Sequence, residues 1–109
     1  MVSKDEWRQI PIKIQGEVRL VQARYLRDYD PAGKFAIMRY GHKRYALVRK
    51  EDSKVMLQDC MGIKPVKNGM SYYTDLRGYW GILNERAQVT CEAGVLKASR
   101  VKKDENRFR

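Results

Sequence analysis

Residues 34–50 read Lys34-Phe35-Ala36-Ile37-Met38-Arg39-Tyr40-Gly41-His42-Lys43-Arg44-Tyr45-Ala46-Leu47-Val48-Arg49-Lys50. Two apolar-rich runs flank a short polar step. The pattern predicts an antiparallel hairpin with strands over 34–40 and 44–50 and a tight turn at 41–43. Successive strand residues point to opposite faces. Phe35 and Ile37 therefore face one way and Ala36 and Met38 the other, and Leu47 and Val48 divide likewise. A hairpin that is apolar on both faces cannot lie open to water, so the remaining chain must cover both.

Working outward, Asp28-Tyr29-Asp30-Pro31-Ala32-Gly33 is a turn: Pro31 fixes φ, Gly33 permits positive φ, and the aspartates can bond back to the backbone. Before it, 17–27 reads as a strand whose apolar face changes from Val18 and Leu20 to Val21, Ala23 and Tyr25, which predicts a bulge or a strong bend. Ile10, Ile12 and Ile14 alternate as a half-buried strand that Gly16 breaks. Ser3 and Glu6 stand at capping-box spacing ahead of Trp7 and Ile10, and predict a short helix over 3–10 that Pro11 stops.

Downstream, 51–53 is a turn and 54–60 a strand. Residues 61–70 form a loop in which Asn68-Gly69 suits a type I′ hairpin turn. Alternation from Tyr72 to Ile82 predicts an irregular strand over 71–83, since Gly78 and Gly81 would each cost a helix about 1 kcal/mol. One helical turn is expected at 83–88. Val89, Cys91 and Ala93 alternate, Gly94 turns the chain, and 95–101 pairs back as the last strand. Short connections in series imply a meander. The expected class is all-β: a small bent antiparallel barrel, OB-like or SH3-like, with room for a short N-terminal helix. It forms a single domain over 1–101, followed by a charged, mobile tail over 102–109.

The chain has 109 residues, enough for one core. Its formal net charge is +10, and the excess is clustered. Residues 34–54 hold seven basic residues against two acidic, and 95–109 hold six against two. Clustered charge of one sign draws a chain to polyanions. In the predicted hairpin Arg39 and Tyr45 fall opposite each other or nearly so, depending on register, with Tyr40 and Arg44 close to the turn, so a cation and an aromatic ring meet at one end of the sheet. A base stacked on such a ring gains roughly 1–3 kcal/mol while a guanidinium holds its phosphate.

The expected function is therefore a small nucleic-acid-binding module, with single-stranded DNA or RNA favoured. Arg39, Lys43, Arg44, Arg49 and Lys50 would neutralise phosphates, Tyr40 or Tyr45 would stack, and Lys102 and Lys103 would add attraction from the tail. Tyr72, Tyr73, Tyr79 and Trp80 offer a second platform. No basic helix is long enough to read a major groove. The alternative is a non-enzymatic adaptor or inhibitor docking on an acidic protein surface, since Arg and Tyr also anchor protein interfaces.

Catalytic constellations are absent from the sequence: the acids sit singly or in turns, and no nucleophile elbow or phosphate loop occurs. Cys60, Cys91 and the single His42 lack paired metal-ligand spacing, so neither a metal nor another cofactor is expected. Two distant cysteines read as free thiols of a reducing compartment. No apolar run nears the roughly 20 residues of a membrane span, and the first residues lack the apolar core of a signal peptide. The expected location is cytoplasmic.

Overall fold

The computed structural model describes residues 7–95. They form one antiparallel sheet of eight strands: β1 (Trp7–Ile14), β2 (Glu17–Asp28), β3 (Phe35–Gly41), β4 (Arg44–Arg49), β5 (Val55–Ile63), β6 (Met70–Asp75), β7 (Trp80–Asn84) and β8 (Val89–Cys91). Strand order follows chain order throughout, so no Greek-key crossover occurs among the described residues. The fold is all-β, bent and barrel-like, and its ladder does not close.

The decisive hairpin is central. β3 and β4 pair from Phe35↔Arg49 to Arg39↔Tyr45, and Gly41 faces Arg44 across the turn. Both faces are covered, each by its own core. On one side Ala36, Met38, Ala46 and Val48 pack with Ile10, Ile12, Ala23 and Tyr25 of β1 and β2. On the other, Phe35, Ile37 and Leu47 pack with Tyr29, Cys60, Tyr73 and Leu83. Burial of these apolar side chains on both faces is the main stabilising force on the sheet.

Two bulges bend it. The β2–β3 register shifts between Tyr25 and Arg27; the change of face expected between Leu20 and Val21 brings no break there, since β1 and β2 pair without a shift from Glu17 to Arg24. In β5, Tyr45 pairs with Cys60 and Leu47 with Leu57, so an extra residue stands in β5, where Asp59 adopts a φ of 59°. The bend lets β5 serve two partners: its first half pairs with β4 and its second half with β6. The bulge also frees the Gln58 side chain to reach β1, where it accepts from Lys13 N at 2.9 Å and donates to Lys13 O at 2.9 Å. A side-chain amide thus stands in for one residue of ladder across the open seam.

The turns follow the expected chemistry. Gly33 N donates to Asp30 O at 2.9 Å, and the Asp30 carboxylate accepts from Phe35 N at 2.9 Å. Asn68 and Gly69 both have positive φ, 56° and 80°, as a type I′ turn requires, and Lys67 bridges to Met70.

Three local expectations are corrected. Residues 7–10 are strand, not the end of a helix, because Ile10 and Ile12 gain a core by pairing while a one- to two-turn helix is marginal alone; residues 3–6 lie outside the described residues. Residues 71–83 are not one strand but a hairpin of β6 and β7. The Asp75 carboxylate closes its turn by accepting from Arg77 N at 2.9 Å and Tyr79 N at 3.0 Å. Residues 83–88 are a second hairpin turn, not a helical one: Asn84 Oδ1 accepts from Arg86 N and Gln88 N. The expected strand over 95–101 and the tail over 102–109 lie outside the described residues beyond Val95, which closes a turn onto Glu92 O.

Candidate functional site

Arg39 and Tyr45 pair across β3 and β4 and so share a face. The β2 bulge adds to it. Arg24 lies opposite Arg39, and Arg27 lies opposite Ile37. Arg39 and Ile37 are two apart on one strand, hence Arg24 and Arg27 both flank that face. Without the bulge the two arginines, three residues apart, would point to opposite sides.

Beside them lies a groove of about 340 Å³, at the small end of the range for ligand clefts. Buried Ile37 forms part of its lining. Tyr45, Tyr72, Arg27 and Lys64 also line it, together with apolar Met61, Ile63 and Pro65 and no carboxylate. Tyr72 is 46 % exposed and meets Trp80 edge-on at 5.6 Å. Arg27, Arg39 and Lys64 are exposed and have no ion-pair partner among the described residues. Among the described residues the Arg39 side chain donates to the Gly41 carbonyl, at 3.1 Å.

The other anticipated residues are placed differently. Arg49 forks onto Asp52 at 3.0 and 2.7 Å, and Lys50 binds Asp28 at 2.6 Å while lying over the Tyr25 ring. Both charges are therefore matched within the chain. Lys43 and Arg44 are exposed at the hairpin tip. Tyr40 is half-buried against the first core; its hydroxyl donates to Asp59 Oδ1 at 2.6 Å and accepts from Asp59 N at 2.9 Å. Burial, reinforced by the Asp59 carboxylate, pushes its phenol well above the usual range; packing against the first core and the two hydrogen bonds to Asp59 hold the ring in place. Lys102 and Lys103 lie outside the described residues.

Of the second platform, Tyr72 and Trp80 stand together, Tyr73 is buried, and Tyr79 is covered by the Arg77 guanidinium at 4.7 Å. Arg24, Arg27 and Lys64 were not anticipated. The sequence suggests a bulge or bend in β2 but places it near Leu20 and Val21, whereas the bulge that decides where Arg27 points lies at Leu26.

Cys60 is buried, and its thiol is pushed up to about 12 by that burial. Cys60 and Cys91 are free, and the described residues contain no group of three potential metal ligands. Among them no helix is long and apolar enough to cross a membrane. No family model, curated protein or solved structure matches this chain.

Proposed function

We propose that this chain binds single-stranded nucleic acid across the face of β2, β3 and β4 and the adjoining groove. One observation carries the proposal: unmatched cations and two tyrosine rings line a groove that holds no carboxylate. Arg27, Arg39 and Lys64 would neutralise successive phosphates. Tyr45 and Tyr72 would each offer a π-face to a base, a contact tolerant of sequence. A shallow face suits a flexible single strand better than a rigid duplex groove, which a protruding helix or ribbon reads. The two free thiols fit a reducing, cytoplasmic setting.

Fluorescence anisotropy with a labelled oligothymidine and a labelled oligouridine tests the proposal. Tyr45→Ala and Tyr72→Ala are each expected to cost roughly 1–3 kcal/mol of binding. Absence of binding at low salt, or unchanged affinity in both variants, would reject it.

A further inference from the structure

A second groove, of about 530 Å³, runs between the outer edge of β1 and the first half of β5 and shares no residue with the tyrosine groove. Pro11, Val18, Val55, Met56 and Leu57 wall it, and its only charged residues are Lys13 and Lys54. Neither ammonium has an ion-pair partner among the described residues. The register sets Lys13 opposite Val18 and Pro11 opposite Leu20, so Leu20 extends the strip along the same hairpin face. Val18 is 66 % and Leu20 65 % exposed. The core needs neither of them, since Ile10 and Ile12 occupy the other face of β1.

Charge and chemistry select what fits there. A second copy would bring two +10 chains together with Lys13 and Lys54 at the contact. Edge pairing along β1 is blunted as well: Pro11 lacks an N–H, and Gln58 already occupies the N–H and C=O of Lys13. A nucleic acid would find no aromatic ring in this lining. We infer that the strip docks a segment of a partner protein whose apolar side chains are bordered by Asp and Glu. The apolar side chains fill the strip and the carboxylates meet the two ammonium groups. This interface does not depend on the nucleic-acid proposal.

The test is an NMR titration of the labelled full chain with a synthetic peptide that alternates Leu and Glu. The same peptide with Ser for Leu, or with Lys for Glu, serves as control. Amide shifts are expected at Lys13, Val18, Leu20 and 54–58, with the Leu/Glu peptide alone. Lys13→Glu combined with Lys54→Glu should weaken binding by roughly tenfold or more. Leu20→Ser, at an exposed site, should weaken it without unfolding the chain, and Arg27→Glu with Lys64→Glu should leave it in place. Equal shifts from the Ser peptide would reduce the effect to plain charge and overturn the inference. So would shifts centred on Tyr45 and Tyr72, no shifts at all, or sedimentation showing self-association that Leu20→Ser abolishes. Should the double lysine variant fail to fold, the shift map and Leu20→Ser still decide.

Discussion

Gln58 does with its side chain what a strand residue does with its backbone. Its amide donates to and accepts from Lys13 across a seam that has no ladder. A hydrogen bond of this kind contributes about 1 kcal/mol net, so Gln58→Ala is expected to lower stability by about 1–2 kcal/mol in urea unfolding. A loss indistinguishable from zero would mean that the seam is held by packing alone. Asp28 is a second residue with an outsized local role. Hydrogen bonds from Lys50 and from the Tyr25 hydroxyl hold its carboxyl below the usual range against the opposing effect of burial. The group is folded with a lower pKa than its unfolded value of about 3.9. Its contribution is therefore complete above that value and is lost as pH falls through the lower folded one. Because the side chain is 47 % exposed, solvent screening limits the effect to about 1 kcal/mol or less. Asp28→Asn should destabilise at pH 7 and converge on the wild type as pH falls through the lowered folded pKa of Asp28. A gap that persists at low pH would assign the effect to shape rather than charge.

Hairpins are the elements of this fold, and the last two are closed by the same device, an Asp75 or Asn84 side-chain oxygen accepting from two backbone N–H groups of its own turn. In the β6–β7 hairpin Tyr73 lies opposite Gly81, and its ring covers the glycine. A methyl group on Gly81 would sit 2.6 Å from the Tyr73 ring and 2.6 Å from the Cys91 carbonyl oxygen. The Tyr73 hydroxyl is tied down by accepting from Ala93 N at 2.9 Å, so the ring has little freedom to retreat. Gly81→Ala is expected to cost about 1–3 kcal/mol, as overpacking does. Gly78→Ala, where no atom lies within 4 Å, should be limited to the penalty of its φ of +91°. Equal losses at the two glycines would remove the steric account. Much at this scale was legible in the sequence. The pairing of Arg39 with Tyr45 followed from one short turn, and Asn68-Gly69 followed from its own φ requirement. The β6–β7 reversal was not legible, because side-chain alternation continues on both strands and the sequence marks the turn only through Asp75 and Gly78. The groove was not legible either. It joins Arg27, Tyr45, Lys64 and Tyr72 from separate elements, and their meeting depends on register across the bulges in β2 and β5, which local periodicity does not encode.

For the whole molecule, net charge matters less than which charges remain unmatched. Sequence counting weights Arg49 and Lys50 equally with Arg27 and Lys64, yet the first two are paired with Asp52 and Asp28. If the tyrosine groove is the nucleic-acid contact, salt dependence must distinguish the two sets. Each phosphate neutralised on a single strand adds about −0.7 to the slope of log affinity against log salt. Arg27, Arg39 and Lys64 together predict a slope of roughly −2. Replacing Arg27 and Lys64 with Gln should shrink that slope by about 1.4, because two phosphate contacts are lost. Removing the matched pair by Arg49→Gln with Asp52→Asn deletes one charge of each sign and should leave the slope unchanged. The comparison separates a localised interface from a diffuse one: a polycation that attracts nucleic acid from every direction would lose slope with Arg27 and Lys64 only in proportion to its total charge. A slope that stays near its starting value in the Arg27 and Lys64 variant would move the contact away from the groove.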